Sequence, residues 1–351
     1  MQKRSIIFVL FCCLLFGCLF AAGCIGGNAS SSSLEQTALA HPSGLMEVHF
    51  LDVGQGDSTL IKTPKENILI DGGEVGQGEI VAGYLKEQGV RQIDILISTH
   101  PHSDHIGGLQ YILSEIPVKM VLDPVVTQSR SGLYSGYKKI IAAKQIELKE
   151  ARAGDSYKID GGTLKIVYCD NKADEINNTS IVALISYGKS KVLFTGDLEK
   201  ENEVKLGEQA ELLQVGHHGS RTSSCEKFLK TVKPRWAVIS CGEDNEYGHP
   251  HSEVLERLGK MGVKVYRTDI SGDIIFTTDG VNWTKKQGQE EETKASVYQE
   301  NNYIGNKQSK VYHAASCHNK PKSDNQIILA TQKEAEQKGY KPHSCVKNSA
   351  K

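Results

Sequence analysis

Ser98-Thr99-His100-Pro101-His102-Ser103-Asp104-His105-Ile106-Gly107-Gly108 follows directly on the apolar run 93–97. Three histidines and one aspartate fall within six positions at the end of a predicted strand. Each imidazole placed there loses hydration unless it is paired, whereas borderline metal ions take neutral histidine nitrogen and carboxylate oxygen as ligands. The spacing supplies two pairs, His100 with His102 and Asp104 with His105. One cation cannot comfortably take all four donors together with a bridging group, so the pattern predicts two adjacent ions.

Working outward, short β-rich runs alternate with amphipathic stretches from residue 45 to about residue 283. Strands are predicted at 46–53, 58–62, 68–70, 94–98, 119–122, 164–168, 181–187, 191–195, 212–215, 237–240, 263–266 and 273–277, and helices at 78–88, 107–113, 224–232 and 252–261. Two antiparallel sheets held between helices accommodate this many strands, which makes the body a layered α+β domain. Asp52, Asp57 and Asp71 each fall in a glycine-containing turn after an apolar run, where turn chemistry alone explains a carboxylate.

The same body carries His49-Phe50-Leu51-Asp52-Val53-Gly54-Gln55-Gly56-Asp57, Leu69-Ile70-Asp71-Gly72-Gly73, Asn177-Asn178-Thr179-Ser180, Phe194-Thr195-Gly196-Asp197, His217-His218-Gly219-Ser220 and Tyr247-Gly248-His249-Pro250-His251. With the histidine cluster, in this order over about 240 residues, these motifs resemble the metallo-β-lactamase superfamily. The resemblance is strongest to the hydrolase domain at the C-terminus of the DNA-uptake competence channel, ComEC. It implies a four-layer αββα sandwich with metals at one end, and a hydrolase acting on phosphodiesters such as DNA.

Carried over by position, the resemblance puts His100 and His102 on one metal, Asp104 and His105 on the second, and Asp197 between them. One of His217 and His218 completes the second site. Strand alternation after residues 212–215 points the two apart, with His218 favoured as ligand and His217 left to contact substrate phosphate. Two divalent ions, zinc or manganese, then lower the pKa of a bridging water to give a hydroxide nucleophile and clamp the phosphoryl oxygens. Asp104 also orients that hydroxide, and with His217 and His251 makes up the expected catalytic set. Asp57 and Asp71 are expected to brace the metal-binding histidines from behind. His249 and His251 flank a proline before a predicted helix, and either reach the site as proton donors or phosphate contacts or sit in an exposed loop. Arg221 is a candidate to neutralise phosphate.

One departure matters. Hydrolytic members of the broader group carry a further histidine between the cluster and the bridging aspartate, and none lies between His105 and His217 here. Asn178 and Ser180 stand in that region instead. A first metal with fewer protein ligands is open to substrate oxygen and suits a harder ion such as Mn²⁺, which argues against lactam hydrolysis.

Residues 285–300, with Glu290-Glu291-Glu292 and no periodicity, read as a linker after a hydrolase domain at 45–284. Residues 301–348 differ in character. Tyr303-Ile304-Gly305-Asn306-Lys307-Gln308-Ser309-Lys310-Val311-Tyr312-His313, Cys317 and Gly339-Tyr340-Lys341-Pro342 resemble the small Ada-type metal-binding domain found appended to secreted nucleases. That family closes with two cysteines, where this chain has His343-Ser344-Cys345. Two alternatives follow: His313, Cys317, His343 and Cys345 hold a structural zinc, or Cys317 and Cys345 form a disulfide. From Asn301 onward nine lysines stand against three acids, so this segment is about +6 and the remainder about −7. Lysines interleaved with Tyr303, Tyr312 and Tyr340 predict a nucleic-acid-docking face.

At the other end, Met1-Gln2-Lys3-Arg4 leads into the apolar run 6–20 and then Ala21-Ala22-Gly23-Cys24. This is the pattern of a prokaryotic lipoprotein signal over 1–24 with Cys24 acylated, an uncleaved membrane anchor being the alternative. Residues 25–44 read as a flexible tether holding the body at the outer face of the cell membrane. Over 351 residues, 41 Lys+Arg balance 42 Asp+Glu for a net charge of −1, so any attraction for a polyanion is local to the tail. Three functions remain: a cell-surface metal-dependent nuclease or phosphodiesterase, an esterase on a phosphorylated surface polymer or small molecule, and a non-catalytic DNA-binding lipoprotein. The complete ligand set disfavours the third, and the basic tail favours the first over the second.

Overall fold

Isoleucine and leucine dominate central strands of the body such as Asn67–Ile70, Ile93–Ile97 and Leu212–Gln214, and strands of that composition have to be covered on both faces. The computed structural model shows how they are covered. It describes residues 42, 44–287, 303–314, 317, 319–322, 325–329 and 332–347. The leader 1–24 with Cys24, most of the 25–44 tether and residues 288–300 of the expected linker lie outside the described residues.

The body's strands are β1 (Met46–Phe50), β2 (Thr59–Lys62), β3 (Asn67–Ile70), β4 (Ile93–Ile97), β5 (Val118–Asp123), β6 (Glu147–Glu150), β7 (Ser156–Ile159), β8 (Gly162–Tyr168), β9 (Val182–Tyr187), β10 (Ser190–Phe194), β11 (Leu212–Gln214), β12 (Trp236–Ile239), β13 (Lys264–Arg267), β14 (Ile274–Thr278) and β15 (Trp283–Gln287). One sheet runs β15-β14-β1-β2-β3-β4-β5-β6 and the other β13-β12-β11-β10-β9-β8-β7. Phe50, Ile70, Ile95 and Ile97 of the first pack with Ile166, Ile185, Val192 and Phe194 of the second in a central core. Intervening residues such as Leu69, Leu96 and Val121 pack instead with helices Gly78–Glu87, Leu109–Glu115 and Gly132–Ala143. Leu193, Leu213 and Ile239 do the same with helices Glu226–Val232 and Ser252–Lys260. Period-two alternation thus produces the expected four layers, αββα.

The sheets are mixed, which corrects the expectation of two antiparallel ones. β3, β4, β5 and β6 are parallel to one another, as are β10, β11, β12 and β13. Helices fill most of the connections between these strands, and a crossover of that length brings the chain back in its original direction. Helix Gly132–Ala143, β6 and β7 occupy a stretch where the pattern predicts no element, and β15 runs past residue 284 into the expected linker.

The C-terminal segment forms its own sheet, β18-β16-β17-β19, from β16 (Tyr303–Asn306), β17 (Val311–Ala314), β18 (Gln326–Leu329) and β19 (Lys341–Pro342). Its small core is Tyr312, Leu329, Ala335, Tyr340 and Val346. Tyr312 and Tyr340 are 1% and 5% exposed, so they do not form the expected docking face. A module this short needs their rings for its core.

Glu203 is buried beside the second sheet's helices, and its two carboxylate oxygens accept the N–H groups of Ser224 (2.7 Å) and Cys225 (3.0 Å). These donors lie at the N-terminus of helix Glu226–Val232, where no helical carbonyl serves them. Burial raises the Glu203 pKa from 4.5 to about 7, against the pull of those hydrogen bonds. Between these values the folded state binds more protons at this site than the unfolded state, so its contribution to stability falls as pH rises to about 7 and levels off above. Glu203→Gln should remove that slope. Urea unfolding of both proteins from pH 4.5 to 8 checks this, and parallel stability profiles would contradict it.

Candidate metal centre

Residues that follow β3, β4, β10, β11 and β12 meet at one end of the sandwich. After β3, Asp71 accepts the Thr99 N–H (2.8 Å), the Thr99 hydroxyl (2.6 Å) and His105 Nδ1 (2.8 Å). The His105 ring is thereby fixed with Nε2 forward, 3.2 Å from Asp197 Oδ1. His218 Nδ1 donates to the Ser240 carbonyl at 3.0 Å, which leaves its Nε2 3.1 Å from Asp104 Oδ2 and 3.7 Å from Asp197 Oδ2. His100 Nε2 lies 3.1 Å from His102 Nδ1 and 3.7 Å from Asp197 Oδ2. Asp197 is therefore the common neighbour of both halves. Two glycines permit these approaches: a Cβ on Gly56 would strike the Asp104 carbonyl that accepts the Asp57 N–H, and Gly196, at φ 50°, is wedged between Ser180 and Thr99.

Donor atoms of His100, His102 and Asp197 lie within 4.8 Å of one another, and so do those of Asp57, His105, Asp197 and His218. Asp57 and Asp104 thus approach the second group from different sides. Asp57 Oδ2 lies near the braced Nδ1 atoms of His105 and His218, at 4.0 and 3.9 Å, and accepts Gln214 Nε2 at 2.7 Å. Asp104 lies on their Nε2 side, and its side chain is 23% exposed against 5% for Asp57. The arrangement gives Asp104 the open face and Asp57 the floor.

The set fits divalent cations. Asp197 Oδ1 and His105 Nε2 are buried and make no hydrogen bond, although only 3.2 Å separates them, and Asp57 Oδ1 is also without a partner. Burial works against ionisation of Asp104 and Asp197, but His105 and His218 beside them hold both carboxyls well below the ordinary carboxylate range. Burial likewise opposes charge on His105 and His218, yet Asp197 and its fellow carboxylates push His105 well up and His218 to about 9. The carboxylates demand positive charge between them, and imidazole with carboxylate is donor chemistry for zinc- or manganese-class ions.

A cavity of ≈ 270 Å³ opens over these groups, with Gln55, Asn177, His217, Tyr247 and His249 completing its wall. His217 and His218 occupy a 3-10 turn, Gly216–Gly219, at φ 50° and 52°. A left-handed turn, rather than strand alternation, separates their directions. His217 Nδ1 is 3.1 Å from the Thr222 hydroxyl, and Nε2 is 3.8 Å from Asp197 Oδ2. Burial, aided by His218 and His217, lowers His249 to about 3, so its ring is neutral near pH 7.

His251 and Arg221 do not line this cavity, contrary to expectation. His251 Nδ1 accepts the Arg221 N–H at 3.1 Å, and both residues line an adjoining cavity. His251 immediately precedes helix Ser252–Lys260, and its ring packs edge-on against that of His249 at 5.0 Å. Asn178 also faces away: its amide donates to Glu201 and its carbonyl accepts the Glu199 N–H. Asn177, next to it, takes the place at the wall. Ser180 accepts the Asp197 N–H at 3.0 Å and lies 3.4 Å from His100 Nδ1, joining the two halves from behind. Gln214, not expected, accepts the Thr195 and Gly196 N–H groups while holding Asp57. Its sequence signal is a polar residue closing the short apolar strand before His217.

In the C-terminal segment, donor atoms of His313, Cys317, His343 and Cys345 lie within 4.8 Å of one another. No disulfide joins Cys317 and Cys345 here, and both sulfurs belong to this cluster. The His313 and His343 rings stack at 4.2 Å, and His343 Nδ1 lies 3.1 Å from Cys345 Sγ.

Residues 51–166 and 173–243 match the family model described as the metallo-beta-lactamase superfamily. The chain belongs to that superfamily. It is 30% identical over 310 residues to ComE operon protein 3 of Bacillus subtilis, covering 78% of this chain and 37% of that one. Recombination protein 2 of Haemophilus influenzae is 35% identical over 239 residues, 65% of this chain and 28% of that one. Competence protein ComA of Neisseria gonorrhoeae is 33% identical over 248 residues, 68% and 33% respectively. The chain spans about a third of the length of these curated relatives. As a metallo-β-lactamase-fold protein it carries a buried Asp/His cluster for divalent metals.

Proposed function

We propose that the chain hydrolyses phosphodiester bonds, with DNA as substrate, using two divalent ions. His100, His102 and Asp197 hold one; Asp104, His105, His218 and Asp197 hold the other. The observation that carries this reading is the sharing of Asp197 between two converging donor sets beneath an open cavity. The relatives named for competence and recombination support DNA as the substrate.

When bound, such ions supply a water of lowered pKa as nucleophile and positive charge for the phosphoryl oxygens. Asp104, on the open side, aligns that nucleophile through its carboxylate. The Thr99–Asp71–His105 and Ser240–His218 hydrogen bonds keep both rings from rotating, so the donors need no reorganisation during reaction. His217 and the Asn177 amide offer N–H groups to a phosphoryl oxygen, and neutral His249 offers one toward the leaving oxygen. His251, one cavity away, takes no part in this step.

Asp104→Asn and Asp197→Asn should leave the fold intact, by circular dichroism, and lower kcat on bis-p-nitrophenyl phosphate and on DNA by about 10²–10⁴-fold. Full activity in either variant with ions still bound would overturn the assignment. Cleavage of the small diester with no cleavage of single- or double-stranded DNA, across Mn²⁺, Mg²⁺ and Zn²⁺, would overturn the choice of substrate.

In the C-terminal module the same reading gives His313, Cys317, His343 and Cys345 one zinc, which staples a core too small to persist alone. Native mass spectrometry should find one zinc there, and chelator should release both thiols to alkylation. A zinc-free mass two protons below the reduced value would contradict it. The position at the outer face of the cell membrane rests on Cys24 as lipid anchor. Cys24→Ser should abolish lipid labelling, and labelling that survives would contradict the anchor.

A further inference from the structure

We propose that the C-terminal module forms one wall of a track that carries a polynucleotide strand away from the metal centre, with a nucleotide subsite where the module meets the body. This inference rests on the phosphodiester reading and adds the subsite to it. The cavity over the metal centre adjoins a second, of ≈ 310 Å³, and Tyr247 lines both. The second cavity takes Arg221, Pro250, His251 and Leu255 from the body, and Lys307, Gln326 and Ile328 from the module. It is a built junction between two separately folded sheets, and it opens beside the site where a phosphodiester would be cut.

Its chemistry matches what lies on either side of a scissile phosphate. Arg221 comes from the body and Lys307 from the module, with Glu253 as the acid among the lining residues. Pro250, Leu255 and Ile328 add apolar surface to the same cavity. Tyr247 is 58% exposed and stacks on His249 at 5.6 Å and 21°, so its outer face is a flat platform at the passage from one cavity to the next. A nucleic-acid strand alternates an anionic phosphate with a flat base, and binds through cationic grooves and aromatic stacking together. A purely apolar ligand has nothing to offer the charges of Arg221 and Lys307, and a small phosphate ester would fill the first cavity alone. With Tyr312 and Tyr340 in the module's core, Lys307 at the junction becomes the module's contact to the strand.

The test uses the full chain and fluorescein-labelled phosphorothioate oligothymidylates, which resist cleavage, read by fluorescence anisotropy. Lys307 is exposed, so Lys307→Glu leaves the fold intact. It should weaken binding of an octamer about tenfold and of a dimer less than about twofold, because the dimer need not leave the metal centre. Lys341→Glu makes the same charge change on β19, at the far edge of the module's sheet from β18, and should cost the octamer less than about threefold. Equal losses in the two variants, equal losses on the two lengths, no loss, or no octamer binding by the unsubstituted chain would each overturn the inference. Equal affinity for inorganic polyphosphate would overturn it too, since nothing in that polymer stacks on Tyr247. Hydrolysis of bis-p-nitrophenyl phosphate is followed in parallel: its absence sinks the phosphodiesterase reading, while the binding comparison still judges the track.

Discussion

The carboxylate of Asp197 lies 2% exposed among His100, His105, His217 and His218, and a charge so placed is costly unless positive charge balances it. An unbalanced ion in such a setting costs several kcal/mol. Much of the molecule's architecture serves that balance. Parallel pairing of β3 with β4, of β10 with β11 and of β11 with β12 delivers Asp71, the histidine cluster, Asp197, His218 and the Ser240 carbonyl to the same end. Asp71 and Ser240 then fix the two rings so that Nε2 of each points at Asp197 or Asp104.

This constraint explains which parts were legible in advance. Packing does not account for three histidines and an aspartate after an apolar strand, so the metal chemistry could be read from Ser98–Gly108 alone. Asp71 and Asp197 were not legible in that way: each is a carboxylate in a glycine-containing turn after a strand, which turn chemistry explains by itself, and the motif resemblance alone marked them. The four-layer order was what the motif resemblance implied, and two sheets between helices were legible from the number of short strands. Strand direction was not, because it depends on the length of the crossovers, and the helix at Gly132–Ala143 went unpredicted.

Side-chain direction in turns was the other limit. His217 and His218 differ in role because two consecutive left-handed residues turn the chain, a geometry that alternation does not encode. Asn177 faces the cavity while Asn178 braces Glu199 and Glu201, and adjacent asparagines in a motif give no sign of which does which. His251 resembles His249 in sequence but lies across Pro250, where the following helix begins. In the module, Tyr312 and Tyr340, which composition suggests for docking, instead fill a small core with Leu329, Ala335 and Val346.

The central claim is that two ions share Asp197, with Asp104 rather than Asp57 completing the second site. Anomalous diffraction from crystals of the metal-loaded chain, collected on both sides of the manganese and zinc absorption edges, tests it most directly. The account predicts two peaks flanking Asp197, one against His100 and His102 and the other against Asp104, His105 and His218. A single peak, or a second ion held by Asp57 with Asp104 turned away, would contradict it.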